Sequence, residues 1–168
     1  RVVEIPRAIW LPLLYGIILP LRSGKSAAKY ASIWTSEGSP LKVHTERQAV
    51  LLQEQLSARG HHVLVRYAMR YGNPSIESEL LQLAKQPGVD EILFLPLYPH
   101  YADSTVLTSI KEAERVIAHL GLKVKLLVPK PFYDKPDYIR NLVTSAQPWL
   151  DQGFDHILFS YHGLPESH

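Results

Sequence analysis

From Leu41 onward, apolar residues follow two periods in alternation. "TERQAVLLQEQLSARG" has apolar positions at Ala49, Leu52 and Leu56, with Thr45 suited to cap a helix and Gly60 to end it. "HHVLVRYAMR" switches to period two, with Val63, Val65, Tyr67 and Met69 on one side, and predicts a strand. "GNPSIESELLQLAKQPG" returns to helix, with Asn73 as cap, Pro74 as first residue and Gly88 just past the end. "EILFLPLYP" is a continuous apolar run, which predicts a strand covered on both faces. "DSTVLTSIKEAERVIAHLG" predicts a helix capped by Asp103 or Ser104, with Leu107, Ile110, Ala113, Ile117 and Leu120 inward and Gly121 as stop. "KVKLLVP" is a third strand. "KPDYIRNLVTSAQPWLDQG" is a helix whose Ile139, Leu142, Val143, Ala146 and Leu150 share a face, with Pro148 shortening or kinking its last turn. "HILFSYH" is a fourth strand. Strands alternating with helices predict an α/β fold, with a mostly parallel sheet and helices on both faces.

The first forty residues depart from that alternation and read as helical and irregular, with "RSGKSAAKYASIW" a helix. Ile9 to Leu21, "IWLPLLYGIILPL", is the most apolar stretch. Its thirteen residues fall short of the ~20 that a spanning helix needs, and Pro12, Gly16 and Pro20 break it. A buried or partly exposed helical segment is the plainer reading. A lip that binds an apolar ligand or touches a membrane surface is the other. The chain opens at Arg1 with no signal-like segment, and it stops soon after a glycine–proline turn. These ends read as those of an excerpt from a longer protein.

Composition narrows this picture by exclusion. A 168-residue chain with 46% hydrophobic and 20% charged residues suits one globular domain. A net charge of +2, with scattered Lys and Arg, gives no footprint for nucleic acid. The absence of cysteine rules out disulfides, thiolate zinc sites and cysteine-held iron–sulfur clusters in this segment.

Ligands of open α/β sheets bind outside the carboxyl ends of the strands. That rule singles out "MRYGNPS", "LYPHYADST" and "SYHGLP", which should open on one edge of the sheet. His162 then stands at the tip of a strand before Gly163, where an imidazole can ligate a metal or move a proton near neutral pH. Glu166 and His168 have no recognised ligand spacing and read as a solvated tail. Tyr30, Trp34, Tyr71, Tyr98 and Tyr101 would suit a large flat ligand, and Arg70 could pair with a carboxylate. Other motifs fail. "RSGKSA" has Leu19 where a phosphate loop needs its first glycine, no GxGxxG follows a strand, and Leu158 occupies the first glycine position of a nucleophile elbow.

"FSYHGLP", "RYGNPSI" and "LPLYPHYADST" together resemble, in order and spacing, three motifs of the ferrochelatases, which insert ferrous iron into a porphyrin. "KYASIW", "EGSPL" and "IPRAIWLPLLYGIILPLR" are similar to that family's N-terminal half, so the resemblance covers nearly the whole chain. It implies two Rossmann-like, chelatase-type domains with a porphyrin cleft between them. Residues 1–168 would be most of the first domain: 1–40 an apolar helical lip, and 156–168 the strand and turn that carry the active-site histidine. The first strand, with its "NLGTP"-like turn, and the C-terminal domain would lie outside this segment, and the segment alone is expected to be inactive.

By motif, the resemblance makes His162 the catalytic residue, as metal ligand or as acceptor of a pyrrole proton. It places Arg22, Tyr30 and Ser39 against the porphyrin propionates, and Arg70, Tyr71 and Tyr98 in the cleft. His100 stands where Gln is commoner, and Tyr-His-Gly where Ala-His-Ser is found. Protoporphyrin IX and Fe2+ are the implied substrates, with no permanently bound cofactor, no nucleic acid, and the C-terminal domain of the same chain as partner. The implied setting is the cytoplasm, with the lip able to touch a membrane peripherally. A cobalt chelatase of the corrin or sirohaem pathways and a non-catalytic tetrapyrrole-binding half-domain are the alternatives.

Overall fold

The computed structural model describes residues 5–161 and 163. Contacts among them divide the chain into two compact units, one running to Pro87 and the other from Gly88.

The first unit opens with an unbroken helical path. Helix α1 (Arg7–Leu13) passes through a π turn (Leu14–Ile18) into α2 (Leu19–Ala31). The prolines were expected to break this stretch; they do not. Pro20 has no N–H to return to the carbonyl four residues back. The π turn widens the step just before it, and the Leu19 N–H donates to the Leu14 carbonyl. None of the apolar residues of this path is buried, and Ile9, Tyr15 and Leu21 are each more than 60% exposed. Among the described residues, no helix is long and apolar enough to cross a membrane.

Helix α3 (Pro40–Ala58) begins six residues earlier than a cap at Thr45 would give, with Ser39 at the extended N-cap position and Pro40 as the first residue. Thr45 instead lies inside the helix and donates to the Leu41 carbonyl. Its partly covered face runs through Thr45, Ala49, Gln53 and Leu56, while Leu52 points outward. Gly60, at φ 79°, ends it as expected.

Residues 61–70, predicted as a strand, form no ladder among the described residues, only an isolated parallel bridge between Met69 and Ser75. Val65, Tyr67 and Met69 are partly covered while Leu64 and Arg66 are exposed, but Val63 is exposed and Ala68 partly covered, so the period of two holds only over residues 64–67. The backbone finds a different partner: the Gln53 amide donates to the Val63 carbonyl and accepts from the Val65 N–H. Helix α4 (Ile76–Ala84) is capped by Ser75, whose hydroxyl accepts from the Ser78 N–H, and not by Asn73. Its Ile76 and Leu80 make this unit's buried apolar centre.

The second unit is built on a parallel pair, β1 (Glu91–Leu93) and β2 (Lys125–Leu127), in the register Glu91↔Lys125, Ile92↔Leu126 and Leu93↔Leu127. Between them runs α5 (Thr108–Leu120), entered through a π turn (Asp103–Leu107) and stopped by left-handed Gly121. This is one βαβ unit, as the alternating periods require. Ile92, Ala102, Val106, Ala113 and Val116 are its core.

Several expectations change here. β1 is covered on one face only: Ile92 is buried but Leu93 is 66% exposed. The inward face of α5 is centred on Ser109, Ala113 and Val116, continuing Val106 of the π turn before it, and Leu120 lies outside it. The start of α5 has no side-chain cap, because the Ala102 carbonyl takes the Val106 N–H directly. Helix α6 (Pro136–Leu150) continues through Pro148, and its Ile139, Leu142 and Val143 are exposed. The predicted strand at 156–162 is not in a ladder over its described residues, and Leu158 is 92% exposed. A ladder needs a neighbouring backbone, and among the described residues none pairs with this segment.

Candidate functional site

Two loops leave the carboxyl ends of the paired strands side by side. The loop after β1 carries "LPLYPHYAD" and the loop after β2 carries "PKPFYD". One atom ties them: the Pro99 carbonyl accepts the N–H groups of both Phe132 (3.1 Å) and Tyr133 (3.2 Å). The His100 ring stacks on Tyr133, with centroids 4.9 Å apart and planes within 10°. Phe132 meets Tyr138 of α6 edge-on at 5.4 Å, which sets the second loop against that helix.

Beneath this join lies a pocket of about 200 Å³, lined mainly by apolar groups, among them Leu95, Val106, Ile110 and Phe132. Tyr98, Tyr101 and Lys130 bring the polar tips. The Tyr101 hydroxyl is held protonated, its pKa raised by desolvation and then by the Asp103 carboxylate to which it donates. Asp103 therefore serves a tyrosine and not a helix start. The arrangement is a greasy wall with hydroxyl and ammonium groups at its rim, suited to a flat apolar molecule with anionic edges.

In the other unit, the segment after residue 68 places Arg70 and Tyr71. The Met69 N–H donates to the Pro74 carbonyl, so the "RYGNP" turn closes on itself, with Gly72 at φ 99°. The Arg70 guanidinium sits 4.6 Å from the centroid of the Tyr71 ring. Its Nε is buried and has no hydrogen-bond partner among the described residues. A donor left in that state is a natural receiver for a carboxylate. Arg66, four residues before Arg70, ties its segment to α4: its Nε donates to Glu79 Oε2 at 2.9 Å and its Nη2 donates to Gln82.

Arg22 and Tyr30 both project from α2 and are exposed, about 12 Å apart along the helix axis at ~1.5 Å per residue. Ser39 stands just before α3, and its hydroxyl makes no cap bond. His162, Glu166 and His168 lie outside the described residues. The structure thus joins Tyr98 with Tyr101, and Arg70 with Tyr71, each pair within its own unit. The "PKPFYD" loop and the partner of His100 were not picked out from the sequence. The signal was available, since this loop also follows a strand, and the carboxyl-end rule applied to "KVKLLVP" would have found it.

The family model described as Ferrochelatase matches residues 1–168. The chain belongs to the ferrochelatase family. It is 51% identical over 156 residues to the ferrochelatase of Ectopseudomonas mendocina, covering 93% of this chain and 44% of that protein. It is 49% identical over 168 residues to the ferrochelatase of Methylibium petroleiphilum, covering 99% and 46% respectively. A third relative, the ferrochelatase of Stutzerimonas stutzeri, is 52% identical over 156 residues. The chain therefore spans less than half the length of the curated relatives it matches. Membership of the ferrochelatases accords with the α/β reading and with the small parallel sheet seen here.

Proposed function

We propose that the protein is a ferrochelatase, which inserts ferrous iron into protoporphyrin IX to form haem and releases two protons. The match of the ferrochelatase model to every residue of the chain carries this reading. Protoporphyrin IX and Fe2+ are the substrates, and no resident cofactor is needed. The C-terminal half of the same polypeptide would complete the cleft.

The chemistry asks for three things. A flat apolar macrocycle needs apolar and aromatic walls, which the pocket with Tyr98, Tyr101 and Phe132 offers. Its propionates need donors, and we assign these to Arg22, Tyr30, Ser39 and the unpartnered Arg70 Nε, with Tyr71 supporting the Arg70 plane. Removing two pyrrole protons needs a base that is neutral beforehand. A histidine with a pKa near ~6.5 meets that need at neutral pH, and His162 fills it by motif. The same imidazole could instead hold the incoming Fe2+. The exposed apolar helix at Arg7–Ala31 suits peripheral contact of a cytoplasmic protein with a membrane surface.

The deciding assay uses the full-length protein with protoporphyrin IX and either ferrous or cobaltous ion, followed by absorption of the metallated product. Ferrous insertion supports the proposal. Insertion confined to cobalt and a corrin precursor would give the cobalt chelatase instead. Porphyrin binding without product would mark a non-catalytic binding protein.

A further inference from the structure

We propose that His100 is a positioning residue whose ring, stacked on Tyr133, locks the loops after β1 and β2 together and so fixes the shape of the apolar pocket between them. Both sides of the lock are aromatic, and three parts of the join are seen among the described residues. They are the stack at 4.9 Å and the two N–H bonds, from Phe132 and Tyr133, to the Pro99 carbonyl. Phe132 and Lys130 line the pocket from the second loop, and Tyr98 and Tyr101 line it from the first. If the loops part, those walls part with them. Prolines 129 and 131 make the second loop stiff, so it shifts as a piece and does not repack residue by residue. His100 itself does not line the pocket, which separates its role from that of a binding group.

The consequence for turnover rests on the ferrochelatase reading; the consequence for the loops does not. The test uses the full-length protein and the variants His100→Ala, His100→Phe and Tyr133→Ala. Amide hydrogen exchange at Phe132 and Tyr133 should quicken in His100→Ala and Tyr133→Ala and return to the wild-type rate in His100→Phe. In the metal-insertion assay, His100→Ala should raise KM for protoporphyrin about two- to tenfold, the worth of one aromatic stack, with kcat within about twofold. His100→Phe should restore KM, because stacking and not imidazole chemistry is at issue. Unchanged exchange in His100→Ala, or failure of His100→Phe to rescue, would overturn the inference. A wild-type protein that metallates no porphyrin defeats the ferrochelatase reading alone, and the exchange rates then still decide the lock.

Discussion

Gln53 and Val65 are joined by a hydrogen bond of 2.8 Å from the Val65 N–H to the Gln53 side-chain oxygen, while the same amide donates to the Val63 carbonyl at 2.9 Å. One side chain of α3 thus does for residues 63–65 what an adjacent strand would do: it offers an acceptor and a donor at peptide spacing. The segment leads directly to Arg70 and Tyr71, so this grip belongs to the positioning of the candidate site.

Gln53→Ala removes both bonds and should cost about 1–3 kcal/mol, at ~0.5–1.5 kcal/mol each. Gln53→Glu should cost more, since a carboxylate can accept from Val65 but faces the Val63 carbonyl with no proton to give. Urea midpoints of the two variants give the order. A Glu variant as stable as wild type would show that the amide is not the grip.

Glu79 is only 8% exposed, and Arg66, itself half exposed, forms an ion pair with it at 2.9 Å. Arg66→Ala leaves a buried carboxylate without its guanidinium and should destabilise by about 1–3 kcal/mol. The double change Arg66→Ala with Glu79→Gln should recover part of that loss, because the uncompensated charge is gone. Thermal unfolding of the single and double variants measures the recovery.

The Tyr67 hydroxyl has its pKa raised, first by desolvation, then by the charge of Glu46, by the hydrogen bond Glu46 accepts from it, and by Glu79. A phenol whose folded pKa lies above its unfolded value near ~10 favours folding while it stays protonated. Its contribution is present in full below pH ~10 and is lost as pH rises through the folded pKa. Tyr67→Phe should therefore flatten the alkaline fall in stability and leave the neutral-to-acid side little changed. Denaturation midpoints between neutral pH and pH ~11 test the sign.

In the full-length protein, His162→Ala should reduce kcat by at least ~100-fold, in line with the loss of a positioned general base, while the far-UV circular dichroism is retained. Arg70→Ala should act mainly on KM, and Arg70→Lys should restore little, since a point charge cannot replace an Nε donor held at a fixed place. Retained turnover in His162→Ala would remove the histidine from the reaction.

How legible the molecule was depended on the range of the interaction. Helices α4, α5 and α6 were readable within a few residues because their periodicity, prolines and glycines act locally; Gly60 and Gly121 stop helices where expected, at φ 79° and 59°. The caps were less legible. Ser75 outcompetes Asn73 because the turn before it closes through Pro74, and Asp103 is drawn to Tyr101. The strand at 61–70 was right in its alternation only over 64–67 and wrong in its pairing, and Leu52 gave way to Gln53 on the inner face of α3 because that face has a backbone to hold.

By itself, the order of residues settled the family, through motifs that survive in one dimension, and the βαβ connection, through periods that local sterics impose on any chain. Tertiary structure alone decided which apolar faces are covered, that the Pro99 carbonyl gathers two N–H groups, that His100 lies flat on Tyr133, and that Arg70 keeps a buried donor with no partner among the described residues. The reason is physical: a period or a cap is written in neighbouring residues, whereas burial and hydrogen-bond partnership are settled by competition among groups far apart in the chain.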